Sequence, residues 1–429
     1  MKASADHGST SRRLAAQILR RMGETGQPPE RGALRVNVGT EGLLEVLRVE
    51  YLESIRESGT YSAFKLVQAP YGGGKTQFLH CLREIAWNEG FVTALVSVSP
   101  KECPFDEPAK IYHAVATSLE SPPSTFDVES DRGLDALLRE QLSRRRKSNS
   151  DDDVREWLQT ELAEARVDCH ALRRAAVQYM ISILDKKHEV RELLGSFLRG
   201  EDVRAEEVRA LGIRETLDVS SGFRFLRSLV QLVRALDVPG VVLMFDEMDR
   251  VMSLPRGRVR AIGDNLRQMI DHCGQATLPA LLWVYAVPPE FMTNVVPQYP
   301  ALEQRLKGAS VLSFVNPLAP IIDLDRLALA PAAILEQIGG RLLELHTEVH
   351  GPFLDLELQR RNLQGLAREL GERQLEAGTR RTFVKAAVQM LSEQHRGGER
   401  SLDQAQIRAS TKAASAEADP ALEGEEIVH

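Results

Sequence analysis

The sequence predicts an α/β fold: a parallel sheet flanked by helices, carrying a large helical insertion and closed by a C-terminal helical lid. Three observations predict it. The apolar run Phe64-Lys65-Leu66-Val67 leads into Ala69-Pro70-Tyr71-Gly72-Gly73-Gly74-Lys75-Thr76, and Gln77-Phe78-Leu79 leads out with helical spacing. That strand, glycine-rich turn and helix start form the setting of a phosphate-binding loop, hence a P-loop NTPase class of fold. A second apolar run, Val241-Val242-Leu243-Met244-Phe245, ends on Asp246-Glu247. Such a run reads as a buried parallel strand that delivers acids at its C-terminal edge, where ligands sit in open α/β sheets. Finally, strand and helix patterns alternate on either side of residues 121–236, a stretch that is helical in pattern throughout.

Each part of the loop has a physical task. The glycines let backbone N–H groups curl around a polyphosphate, and the helix N-terminus adds positive dipole. Lys75 supplies a mobile point charge, and the Thr76 hydroxyl is placed to ligate Mg²⁺. Tyr71, Gly72, Gly73, Gly74, Lys75, Thr76 and Gln77 are therefore the expected nucleotide contacts. Asp246 is placed to hold Mg²⁺ through water, and Glu247 to orient and deprotonate an attacking water. One departure stands out: the usual pattern opens on glycine, and Ala69 holds that place. The bland alternative is a glycine-rich turn that binds nothing.

The whole chain sets bounds on function. Its 429 residues suffice for two or three domains, and 43% hydrophobic with 27% charged residues is the balance of a globular protein. A formal net charge of −7 excludes a global basic field for nucleic acid and leaves only a local one open. Cys81, Cys103, Cys169 and Cys273 lie far apart and read as reduced thiols, neither disulfides nor zinc ligands. No secretory or membrane-spanning run is present, so the expected compartment is the cytoplasm, with no membrane partner.

Taken in order, residues 1–60 form an N-terminal helical and linker region. Residues 1–10 are polar and expected to be disordered. Leu14, Ile18, Leu19 and Met22 share one face of a helix from Arg12 to Met22. Gly26-Gln27-Pro28-Pro29 ends that helix, the extended stretch Leu34–Gly39 follows, and a second helix runs from about Glu41 to Ser58. The core is expected over 61–120 and 237–320. It includes strands at Phe91–Val98, Leu281–Val287 and Ser310–Phe314, and a short helix carrying Arg305. Within the insertion, 121–236, the run Arg144-Arg145-Arg146-Lys147 precedes Asp151-Asp152-Asp153. It is either a contact for DNA phosphates or a solvated, partly self-neutralised face, and the second reading is favoured. Residues 321–396 read as the lid, its first helix interrupted by Gly339-Gly340 and its last opened by Gly378-Thr379-Arg380-Arg381. Residues 397–429 read as a disordered tail.

This order of pieces resembles AAA+ proteins, and among them the BREX phage-defence ATP-binding proteins of the BrxD-like group. The likeness rests on Ala69–Leu79, on Leu193-Leu194-Gly195-Ser196-Phe197-Leu198-Arg199-Gly200 with Leu211-Gly212-Ile213, on Leu243–Glu247 and on Gly378–Lys385. Together these span most of the chain from about Arg12 to Leu391. The resemblance implies an AAA+-type core that binds ATP with Mg²⁺. It implies that Val38 and Gly39 contact the adenine, a simple linker being the alternative. Arg305 would reach into a neighbouring subunit's site in a homo-oligomer, unless it is a surface arginine. Arg381, in preference to Arg380, would contact the γ-phosphate from the lid. The strand ending Ala286-Val287 departs from the family pattern, which tends to a threonine after a small residue. Either Tyr285 substitutes as the γ-phosphate sensor or that sensor is missing. Phage defence beside a helicase-like or methyltransferase partner, with DNA as an object of action, is what the resemblance implies of biology.

Two functions remain open on the sequence. An Mg²⁺-dependent ATPase would use the site to drive action on DNA or on a DNA-acting partner. A nucleotide-gated switch would bind ATP tightly, turn over slowly or not at all, and offer the insertion to a partner. Glu247 favours the first and the apolar end of the 281–287 strand favours the second. A small-molecule kinase fits poorly with an arginine-led helical lid.

Overall fold

A computed structural model describes residues 2–123, 131–248, 250, 254–275, 277–306, 310–327, 329–371 and 378–418. The chain opens with α1 (Lys2–Thr25), which begins inside the segment expected to be disordered, and continues through a 3₁₀ turn (Ala33–Val36). One long helical stretch follows as α2 (Glu41–Val46), a π-helical part (Leu47–Glu53) and α3 (Ser54–Ser58). Next come β1 (Ser62–Gln68), α4 (Lys75–Asn88), β2 (Val92–Ser97), α5 (Pro108–Ser118) and β3 (Leu119–Glu120). The insertion contributes α6 (Leu134–Arg146), α7 (Asp151–Trp157), α8 (His170–Leu184), α9 (His188–Leu198), α10 (Ala205–Ala210) and α11 (Gly222–Ala235). The sheet resumes with β4 (Val241–Asp246), α12 (Arg256–Gly274), β5 (Leu281–Val287), α13 (Pro300–Leu306) and β6 (Ile321–Asp323). The chain then folds into α14 (Pro331–His350), α15 (Leu356–Gly371), α16 (Thr379–Gly397) and α17 (Gln404–Ala418).

The sheet has the order β3-β2-β4-β5-β1-β6, parallel except for the β2–β3 pair. β5 thus separates the loop-bearing strand β1 from the acid-bearing strand β4. Both strands still end on the same edge, because they run the same way. Alternate side chains enter two cores, as the two-residue period of a strand requires. Leu243, Phe245, Trp283 and Tyr285 pack with α5, α12 and the insertion helices. Val242, Met244, Leu282 and Val284 pack with α4 and the α2–α3 stretch. The insertion therefore shares a core with one face of the sheet.

Beneath Asp246 lies an aromatic slab. Phe245 stacks on Trp283 with centroids 4.9 Å apart, and Phe105 meets Phe245 and Tyr285 edge-on at 5.2 Å. Each such contact contributes about 0.5–1.5 kcal/mol beyond burial. The slab buries the C-terminal end of β4 on the insertion-facing side of the sheet.

A third core joins the lid to the N-terminus. Leu14, Ile18, Leu19 and Met22 of α1 and Val36 of the 3₁₀ turn pack with Leu342, Leu363, Phe383 and Leu391. The first helix is thus part of the lid's packing, not of the sheet's. α14 runs unbroken through Gly339-Gly340. Gly339 serves close approach there, since a Cβ would sit 3.2 Å from the Phe383 ring.

Two further expectations give way. The strand expected at 310–314 makes only two isolated bridges, Val311 to Ile321 and Ser313 to Asn316, and the strand beside β1 at that edge of the sheet is β6 instead. Part of the expected tail forms α17, with Ala414 buried in the lid core, while residues 419–429 lie outside the described residues. The basic run sits in the last turn of α6 and beyond. Arg144 pairs with Glu140, Arg145 with Asp237 and Arg146 with Asp151, so three of its four charges are met locally. Among the described residues no helix is long and apolar enough to cross a membrane.

Candidate functional site

The loop between β1 and α4 takes the shape its glycines allow. Gly72 (φ +74°) and Gly74 (φ +97°) adopt left-handed backbone that side-chain-bearing residues avoid. At Gly73 a Cβ would meet Pro70 O at 2.9 Å and Ala69 Cβ at 2.8 Å. Ala69 is buried and has no positive φ, so its methyl group is tolerated where the usual pattern has glycine. Gly74 is the N-cap of α4, which puts the helix N-terminus at the loop.

Lys75 and Thr76 open α4 and point to different partners. Lys75 Nζ donates to the carbonyls of Ala69 (2.9 Å) and Pro70 (3.2 Å), folding over the loop. Thr76 Oγ1 donates to Asp246 Oδ2 at 2.6 Å, which brings the two expected Mg²⁺ residues together across the sheet. Asp246 Oδ1 accepts the N–H of Glu247 at 2.8 Å. Glu247 holds φ +60°, a conformation uncommon for a residue with a side chain and found at functional turns. Its carboxylate pairs with Arg250 at 3.2 Å.

The lid reaches the loop through the first turn of α16. Arg380 Nη1 donates to the Gly73 carbonyl at 2.7 Å. Arg381 Nη1 donates to the Tyr71 hydroxyl at 2.9 Å, and its guanidinium lies 5.0 Å from that ring's centroid. Arg380, passed over in favour of Arg381 on sequence, is thus the residue on the phosphate-loop backbone. Burial lowers the Arg380 pKa and the Asp325 carboxylate raises it. The pKa of Asp325 is itself raised, by burial and by the Asp323 carboxylate, against Arg380 and Lys75, which lower it.

A cavity opens from this polar corner towards α1 and the lid. Its phosphate-loop end has Tyr71, Gly72, Gly74, Lys75, Thr76, Gln77, Asp246, Glu247, Arg380 and Arg381. Its far end is apolar, with Met22, Pro28, Val36, Val38, Phe78, Ile334, Ile338 and Val384. Asn37 and Thr40 line it too, the Thr40 hydroxyl bonding Asn37 Oδ1 at 2.6 Å. Val38 is therefore on the wall, while Gly39 (φ +82°) is absent from it and faces Leu327 and Leu329. Gln77 turns its amide to the Ala33 carbonyl at 2.8 Å.

Two other expected residues lie elsewhere. Arg305 does not line this cavity; on α13 it pairs with Asp271 (Nε to Oδ1, 2.6 Å). Tyr285 is fully buried in the aromatic slab, away from the cavity, so it is not the γ-phosphate sensor. The alternation of β5 explains this, because Tyr285 faces the insertion-side core.

These residues fit a bound Mg²⁺-nucleotide. A hydroxyl and a carboxylate in contact are a hard-oxygen pair suited to Mg²⁺. The loop's left-handed glycines and helix N-terminus suit a polyphosphate, and the apolar far end suits a base.

Fold and site together define an α/β P-loop fold with a helical lid over the loop. A family profile described as BREX system ATP-binding protein BrxC/D matches residues 10–406. The chain belongs to that family. A solved structure of the Aeropyrum pernix ORC2 protein (ADPNP-ADP complexes) is similar at 13% identity and a TM-score of 0.47, covering 92% of this chain and 71% of that one. No curated protein matches.

Proposed function

We propose that the chain binds Mg²⁺-ATP in this cavity and hydrolyses it, driving action on DNA or a DNA-acting partner in phage defence. One observation carries the reading: Thr76 of the loop and Asp246 of β4 meet at 2.6 Å, with Lys75, Glu247 and Arg380 lining the same cavity. Thr76 and Asp246 would hold Mg²⁺, which would supply neutralisation of the charge on the phosphoryl oxygens. Lys75 exchanges its two loop carbonyls for phosphate oxygens, and the loop's N–H groups hold the chain of phosphates. Glu247 orients a water and takes its proton at the carboxylate, for which it must leave Arg250. Arg380 exchanges the Gly73 carbonyl for a terminal phosphate oxygen and so carries lid position to the site. Arg381 braces Tyr71 beside it. Arg305 completes the site of a second copy in a homo-oligomer, leaving Asp271 to do so.

A slower switch is favoured by one observation. β5 ends in Ala286-Val287 followed by Pro288, so that strand end presents no side-chain polar group to a γ-phosphate. ATP turnover of wild type and Glu247→Gln, with and without duplex DNA and with oligomer size recorded, separates the two. Turnover that is lost in Glu247→Gln and rises with DNA supports the ATPase. Unchanged turnover in Glu247→Gln overturns its assigned role, and a wild type that binds ATP without turning it over establishes the switch.

A further inference from the structure

The base end of the cavity is held from behind by the same helix that carries the phosphate loop. Val36, Asn37, Val38 and Thr40 line the cavity, and the turn Ala33–Val36 leads into them. That turn is pinned to α4 at three points. Ala33 N donates to Glu84 Oε1 at 2.8 Å and Leu34 N to Glu84 Oε2 at 3.2 Å. The Ala33 carbonyl accepts from Gln77 Nε2 at 2.8 Å.

Glu84 is 3% exposed, and burial raises its pKa against the two N–H donors and Arg83, which lower it. A carboxylate is costly to bury unless its oxygens are bonded, and here each oxygen meets one backbone N–H. Gln77 and Glu84 are seven residues apart, about two turns, so both project from one face of α4. The turn's other side belongs to the lid: Val36 packs in the lid core, and Arg35 pairs with Glu348 of α14. The turn is thus a junction clamped by α4 and leaning on the lid.

We propose that Glu84 is a positioning residue for the nucleotide base: it touches no nucleotide, and by holding the Ala33–Val36 turn it sets the wall against which the base packs. This rests on the nucleotide reading above. It makes base affinity depend on a residue in the third turn of the phosphate-loop helix, with phosphate affinity independent of it.

The test compares Mg²⁺-ATP with Mg²⁺-tripolyphosphate, which has the phosphates and no base. Affinities of wild type, Glu84→Gln and Glu84→Ala are measured for both by calorimetry. Glu84→Ala is expected to weaken ATP about tenfold or more, as loss of charge-assisted bonds to backbone donors does, and to leave tripolyphosphate within about twofold. Glu84→Gln keeps one carbonyl oxygen and is expected to fall between wild type and Glu84→Ala for ATP. Equal loss for both ligands would show a merely structural role and overturn the proposal. ATP affinity unchanged in Glu84→Ala overturns it as well. A wild type that binds neither ligand fails at the nucleotide reading itself, a result distinct from either of those.

Discussion

The two ends of the cavity are built in opposite ways. The phosphate end is mostly local: six consecutive residues, Tyr71 to Thr76, supply the loop, and Asp246 and Arg380 are brought to it. The base end draws on α1, the linker, α4, α14 and α16, with Met22, Val38, Phe78, Ile338 and Val384 as representatives. Polyphosphate recognition needs backbone N–H groups at fixed spacing, which a short peptide can encode. An apolar slot needs surfaces from several elements, and those meet only when the chain folds. The phosphate end is therefore electrostatic and sensitive to single charges, while the base end is a packing site that responds by smaller steps.

Lys75→Ala would break the phosphate end outright. Mg²⁺-ATP affinity is expected to fall by at least about a hundredfold, the scale of losing a charge-assisted contact in a desolvated site. Retained affinity by calorimetry would sink the site as drawn. Glu247→Gln is expected to lower turnover about a hundredfold, within the span of a lost general base, with ATP affinity little changed. Phosphate-release kinetics beside a binding isotherm reads both.

At the base end, Ile338→Asp would place a charge on the apolar wall and weaken ATP roughly tenfold, with tripolyphosphate unaffected. If both ligands weakened equally, the two ends would not be separable. Arg380→Ala is expected to weaken ATP about tenfold and ADP less, since a guanidinium contributes most where a terminal phosphate is present. A loss that was the same for ADP would remove Arg380 from the γ-phosphate. Tyr71→Ala, which removes the ring beneath Arg381, is expected to cost only about two- to fivefold in ATP affinity, the scale of an exposed cation–π contact. Larger loss would mean that Tyr71 touches the nucleotide itself.

The residues that sequence reasoning missed have a common cause. Which of Arg380 and Arg381 meets Gly73 depends on the rotational setting of α16, and that setting follows from how Phe383, Val384 and Ala387 pack in the lid core. Tyr285 looked available because a strand pattern does not say which face points to which core. Gly339-Gly340 suggested a break by propensity, but close packing against Phe383 and Leu363 overrides propensity in a buried helix. The edge strand was misplaced by several residues, where Ser310–Phe314 has the better β pattern and Ile321–Asp323 has the partner, β1.

What the sequence by itself determined is the chemistry of short range. The glycine loop, its lysine and threonine, and the acidic pair ending an apolar strand are each encoded in fewer than ten contiguous residues. Their geometry follows from backbone sterics and helix dipoles. Only the tertiary structure decided that β5 lies between those two strands, that α1 belongs to the lid core, that Arg380 rests on Gly73, and that Glu84 clamps the base-side turn. Each of those depends on which surfaces find one another across tens or hundreds of residues. Packing settles that, and no local pattern records it.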